Sequence, residues 1–233
     1  MRFRIAFVPA LAAFLAAACA YDGGTSTPVE RNLTWYSYLN GDDIRAACPA
    51  GTGDRYRMVY NGIYIEQVRS YDVIAGSPQF PGQMKTHVFG SNDIRSLSAS
   101  RPADLFAPWR GQSAVKPLTG AEVDRLADAL RIDVLGQPLD GRLELASDDF
   151  YWVVAACLDG RFHFNAYRWP SPRFAALHFP DLVLSWDGTD VPVNPPREVD
   201  PLRLYGSVAG EDRRNAHRFN IAAEPDGLLG QRR

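Results

Sequence analysis

Apolar and polar residues alternate along two stretches of the chain, and each stretch has a turn signal at its centre. Tyr56 to Tyr60 and Ile63 to Tyr71 flank Asn61-Gly62, a pair that tolerates both positive φ angles of a type I′ turn, so the pattern predicts a β-hairpin. With Asn61 and Gly62 as the loop, Tyr60 faces Ile63, Met58 faces Ile65 and Tyr56 faces Gln67. Arg57 then falls opposite Glu66, a cross-strand ion pair worth well under about 1 kcal/mol if exposed. A second hairpin is predicted over Phe150 to Cys157, the turn Asp159-Gly160, and Arg161 to Trp169, with Leu158 opposite Arg161. One of its faces holds Tyr151, Val153, Ala155 and Cys157 with Phe162, Phe164 and Ala166, and reads as core. The other places Trp152, Val154 and Ala156 against His163, Asn165 and Tyr167.

One helix is well marked. Thr119-x-x-Glu122 forms a capping box, and Val123, Leu126, Ala127 and Leu130 make an apolar stripe with Asp124, Arg125, Asp128 and Arg131 outside it, predicting a helix over about 119–131 that packs on a sheet. Gly41 to Ala47 reads as a short helix with an acidic start, ending at Cys48-Pro49. Leu33 to Leu39, Lys85 to Phe89, Leu182 to Trp186 and Leu202 to Tyr205 read as further strands. Pro49 to Gly53, Gly76 to Gly82 and Pro192 to Pro201 read as connections. Ser91 to Pro117 is irregular, broken by Pro102, Pro108 and Pro117. No fixed-period repeat and no alternating βαβ pattern is visible. The expected fold is therefore α+β or mainly β: a single antiparallel-sheet domain over residues 32–210, followed by a polar C-terminal tail over 211–233.

Composition adds bounds. The chain has 233 residues, 46% hydrophobic and 12% aromatic, enough for one sizeable core, and its net charge of −2 offers no basic excess for nucleic acid.

The N-terminus carries an address. Arg2 and Arg4 are followed by an uncharged run from Ile5 to Ala18, the charged and apolar regions of a signal peptide. The run is shorter than the roughly 20 residues a spanning helix needs. Ala16-Ala17-Ala18-Cys19 resembles the lipobox of bacterial lipoproteins. The resemblance implies a signal peptide over residues 1–18 and a lipidated Cys19 as membrane anchor, with Ala20 in place of the aspartate that would favour inner-membrane retention. Residues 19–31, rich in Gly, Ser and Thr, then form a flexible tether. The alternative is an ordinary cut after Ala18-Cys19-Ala20 that releases a soluble exported protein. Either way Cys48 and Cys157 remain, and an oxidising compartment lets them pair. Such a disulfide closes a loop of about 110 residues and stabilises by roughly 4 to 5 kcal/mol in the chain-entropy model. No CxxC or HxxxH spacing suggests a metal site, and no cofactor motif is present.

Catalytic signatures are sparse. The sequence has no GxSxG, HExxH, Walker loop or helix-opening GxGxxG, and Gly206-Ser207-Val208-Ala209-Gly210 has its serine one place too early for a nucleophile elbow. The best polar constellation is His163, Asn165 and Tyr167, with His as acid or base, Asn as oxyanion donor and Tyr as orienting hydroxyl. The same alternation arises when a strand shows one face to water or satisfies its polar groups locally. His87 and His178 stand isolated in sequence, and Asp148-Asp149 reads as a turn. Trp35, Trp109, Trp152, Trp169 and Trp186 could line a groove for sugars or apolar ligands, or simply fill the core. The sequence thus favours a non-catalytic binding or assembly module of the cell envelope, with an exported hydrolase using His163 as general base as the alternative. In the hydrolase, His163 stands in a concave pocket with a nucleophile or carboxylate in hydrogen-bond reach.

Overall fold

The structure, a computed structural model, describes residues 35–50, 53–77, 80–90, 111–200, 204 and 219–229. Six antiparallel strands form the main sheet: β1 (Arg55–Gly62), β2 (Gln67–Ile74), β3 (Gly82–Gly90), β4 (Gln112–Leu118), β6 (Phe150–Leu158) and β7 (Arg161–Arg168), in the order β4-β3-β2-β1-β6-β7. A smaller sheet joins β5 (Leu143–Ala146), β8 (Asn220–Glu224) and β9 (Gly227–Leu229) in the order β5-β8-β9. The helices are α1 (Asp42–Ala47), α2 (Gly120–Leu130), α3 (Pro172–Ala175) and α4 (Phe179–Ser185). A 3₁₀ turn, Cys48–Ala50, follows α1, and a π-helical turn, Arg131–Leu135, follows α2. This is the mainly β architecture that the alternation predicts. Among the described residues no helix is long and apolar enough to cross a membrane.

Both faces of the central strands are covered. Met58, Tyr71, Met84, Trp152 and Tyr167 point to one side and meet Leu126 and Leu130 of α2 with Phe179 and Val183 of α4. Val59, Val68, Tyr151, Val153 and Phe164 point to the other and meet Tyr38, Leu39 and the small sheet through Leu145, Ile221 and Leu228. A strand buried on both sides needs a continuous apolar run, which is why Phe150–Leu158 carries no charge. A third cluster joins Ile44 and Cys48 to Ala155 and Cys157. Within it Cys48 and Cys157 form the expected disulfide, tying α1 to β6 across a sequence separation of 109. Gly41 lets α1 lie this close: its φ is 69°, and a Cβ there would collide with Ala155 Cβ.

The second hairpin follows its sequence signal. Asp159 and Gly160 have φ of 53° and 73°, and Leu158 faces Arg161. The first does not. Asn61 and Gly62 lie inside β1, the turn is Ile63 to Glu66, and the register pairs Tyr60 with Arg69, Met58 with Tyr71 and Arg57 with Asp72, not Glu66. Tertiary contacts override the turn preference. Asn61 Nδ2 donates to Ser147 O and Asp149 O at 3.1 and 2.7 Å, holding Asn61 against the chain that enters β6. Ile63 is wholly buried and takes the positive φ, 64°, in place of the Asn-Gly pair.

Five other expectations are corrected. Residues 35–40 are helical, not a strand, because Trp35, Tyr38 and Leu39 at helical spacing all reach the second core. Leu182 to Trp186 belongs largely to α4, where Pro180 in the first turn and Phe179 and Val183 on one buried face are helix signals. Leu204 is also helical rather than extended, its N–H donating to Asp200 O at 3.1 Å. The irregular stretch ends in a regular strand, β4, which accommodates Pro117 as the outermost strand of the sheet. Beyond residue 211, β8 and β9 are part of the fold and not a tail. The signal peptide, Cys19 and the tether lie outside the described residues, as do Trp109 and Gly206 to Gly210.

Candidate functional site

His163, Asn165 and Tyr167 do stand in a row on β7, opposite Ala156, Val154 and Trp152. The row is not an open face. Asn165 and Tyr167 are wholly buried. Tyr167 Oη donates to Asp133 O at 2.7 Å, and Asn165 Nδ2 donates to Val134 O and Gln137 O at 3.2 and 2.9 Å. Arg173 donates to Asn165 Oδ1 at 2.8 Å. These bonds fasten β7 to the π-helical turn, and burial pushes the Tyr167 phenol well above its ordinary pKa. His163 is partly exposed and lines a cleft of about 290 Å³ with Arg45, Leu135, Phe162 and Asp226. Burial, then the charge of Arg161, hold its pKa below the ordinary value. Among the described residues its imidazole has no hydrogen-bonded nucleophile or carboxylate.

The other singled-out residues have separate places. Asp133 is fully buried and accepts the N–H groups of His178 and Phe179 at 2.8 and 3.0 Å, so it caps α4, while His178 Nδ1 lies 2.7 Å from its other oxygen. Asp149 closes the turn before β6 by accepting Ala146 N–H at 3.1 Å. Asp148 sits in the same turn. Trp152 and Trp186 are core, and Trp169 meets Phe150 edge-on at 6.1 Å. Trp35 and His87 converge elsewhere, over the β1–β3 part of the sheet.

There the helical segment 35–47 stands over three strands and leaves a cleft of about 320 Å³. The floor is built on a cross-strand row, Arg57, Asp72 and Lys85, set by the β1–β2–β3 register. Arg57 is 5% exposed. Its Nε donates to Asp72 Oδ1 at 2.6 Å, and Nη1 and Nη2 donate to the two Asp43 oxygens at 2.7 and 3.0 Å. Nη1 also donates to Tyr38 O at 3.0 Å, and the guanidinium lies over the Tyr38 ring at 3.7 Å. Tyr38 Oη donates to the second Asp72 oxygen. A planar fork that meets two carboxylates and one ring at once is the geometry guanidinium provides and ammonium does not. Burial pushes Asp43 up, but hydrogen bonds and charge from Arg57, with help from Arg55 and the Ile44 N–H, outweigh it and hold the carboxyl below its usual range. Burial and the neighbouring Asp72 carboxylate push the Tyr38 phenol well above its ordinary pKa.

Above this floor stands an aromatic wall. Trp35 stacks on Tyr38 at 5.4 Å and meets Phe89 edge-on at 6.0 Å, while His87 lies against Phe89 at 4.3 Å. Arg55 and Lys85 line the same cleft and form no ion pair among the described residues. Sequence reasoning missed this site because its parts come from α1, β1, β2 and β3, and because the Asn-Gly register moved Arg57 away from Asp72. The signal available was the alternation Lys85, His87, Phe89, which places a cation, an imidazole and a ring on one face. Among the described residues no group of His, Cys, Asp and Glu is arranged to hold a metal ion. Comparison with protein-family models, curated proteins and solved structures finds no match to this chain.

Proposed function

We propose that this chain is an exported protein of the bacterial cell envelope, anchored through a lipid on Cys19, whose folded domain is a non-catalytic binding or assembly module. One contrast carries the reading. Asn165 and Tyr167, which would have to join His163 in a catalytic site, are committed to backbone partners, whereas the cleft over β1–β3 presents aromatic walls and two cations. The Cys48–Cys157 disulfide supports export, since such bonds persist in oxidising compartments. The N-terminal pattern supports the lipid.

The test is the intact mass of the mature protein recovered from membranes. A chain beginning at Cys19 with an acyl increment supports the anchored reading. A chain beginning at Tyr21 without lipid, recovered in the soluble fraction, overturns the anchor and leaves a secreted module. One observation favours the hydrolase instead: His163 does line a cleft. That reading requires a turnover that His163→Ala abolishes without loss of folding.

A further inference from the structure

We infer that the cleft between residues 35–47 and strands β1–β3 binds a small amphipathic anion: a flat apolar body that lies against Trp35 and Phe89, with a carboxylate, sulfonate or phosphate held by Arg55 and Lys85. The inference rests on the proposed binding role and names the ligand class of that site.

The sign of the charge follows from how the ionic groups are used. Arg55, Arg57 and Lys85 line the cleft with Asp43 and Asp72. Arg57 is buried and grips both carboxylates, so it offers no free guanidinium to an anion, and one cation against two carboxylates leaves this trio with a charge of −1. The remaining two cations are differently placed. Arg55 is partly exposed at the start of β1 and Lys85 is exposed at the middle of β3. Lys85 pairs with Asp72 and Arg55 with Ile74 in the ladders, so the two cations approach the cleft from strands on either side of β2. The lining therefore sets three cations against two carboxylates, a net charge of +1, and Arg55 and Lys85 are the two cations outside the ion pairs of the described residues.

The shape of the ligand follows from the wall. Trp35, Phe89 and His87 present ring surfaces to a cavity of about 320 Å³, at the small end of the range for organic ligands. Rings held by neighbouring rings lose little freedom on binding a flat partner. The second cleft, by His163, sets Arg45 beside Asp226 and is lined by two phenylalanines, against the tryptophan, two tyrosines and phenylalanine of the first. The fully buried Arg69 is committed to Gln67, Asp187 and Val191 O.

The experiment is titration of the full mature protein with 2-naphthoate, 2-naphthalenesulfonate, 2-naphthylmethylammonium and inorganic phosphate, followed by amide and indole NMR shifts and by calorimetry. The expected result is binding of both naphthyl anions, with shifts at Trp35, Ser70, Lys85 and His87. The ammonium analogue binds at least fivefold more weakly, and phosphate alone binds more weakly than the naphthyl anions because it lacks the ring. Lys85→Gln and Arg55→Gln each weaken naphthoate at least threefold, and Trp35→Ala weakens it further, in variants whose thermal unfolding matches the parent. Equal binding of the ammonium analogue, or naphthoate affinity unchanged in both charge variants, or shifts confined to the His163 cleft, would overturn the assignment. Membrane anchoring is read from mass alone, so a failed titration leaves that reading intact, and a missing lipid leaves this one intact.

Discussion

Arg57 Nε stands 2.6 Å from Asp72 Oδ1 across the β1–β2 ladder, and the same guanidinium closes a two-toothed pair on Asp43. Removing it leaves two carboxylates facing each other under α1. Arg57→Ala should lower unfolding free energy by about 3 to 5 kcal/mol, the cost of uncompensated buried charge. Arg57→Lys should recover only part, since one ammonium cannot reach both acids and cover the Tyr38 ring. Urea denaturation of the three proteins checks both.

The same pair makes stability depend on acid. Asp43 is held below the usual carboxylate range when folded, so the unfolded chain binds its proton more readily. Its contribution is complete above the unfolded value of about 3.9 and is lost as pH falls through the lower folded value. In Asp43→Asn that part of the stability–pH curve should flatten below pH 4. An unchanged curve would mean that other acids dominate.

The disulfide gives a larger effect. Cys48→Ala with Cys157→Ala should reduce stability by about 4 to 5 kcal/mol if chain entropy governs, and by less if the unfolded chain keeps structure. Reductant should shift the parent's thermal midpoint and leave the double variant unmoved.

The polar row on β7 separates a structural role from a chemical one. Tyr167→Phe leaves the Asp133 carbonyl without its phenol and should cost about 1 to 2 kcal/mol, and Asn165→Ala, which strips two carbonyls and Arg173 of a partner, about 2 to 3. His163→Ala should cost under about 1 kcal/mol. A reversed order would show that the imbibed polar groups are not what fastens β7 to the π-helical turn.

At the start of α2, Glu122 is brought down to about 2 by hydrogen bonds from Lys116 and then from Thr119. Lys116→Met should return its NMR titration toward the ordinary glutamate value, and Thr119→Ala should cost about 1 kcal/mol through the lost cap.

What could be read from the chain divides along physical lines. The Asp159-Gly160 hairpin and the Thr119–Glu122 box were legible because each is decided within a few residues. The Asn61-Gly62 hairpin was misread because Asn61 has tertiary partners at Ser147 and Asp149, far along the chain. Leu182 to Trp186 misled because a short apolar run suits strand or helix equally, and a buried Asp133 from another element caps the helix it became. The cleft was not legible, since its floor depends on a register and its wall on a helix that the aromatic pattern of Trp35 to Leu39 disguised as a strand.

Strands β8 and β9 follow the main sheet in chain order and reach back to cover it. Ile221, Ala223 and Leu228 fill the same core as Tyr38 and Leu39, and Leu228 N–H reaches back to Asn40 Oδ1 at 2.8 Å. A ribosome that releases the chain from its N-terminus therefore delivers Val59, Tyr151 and Val153 before the hairpin that covers them. Until residue 229 has emerged, that side of the sheet is an oily ledge in need of an escort, and a stop codon just short of β8 would leave it so permanently.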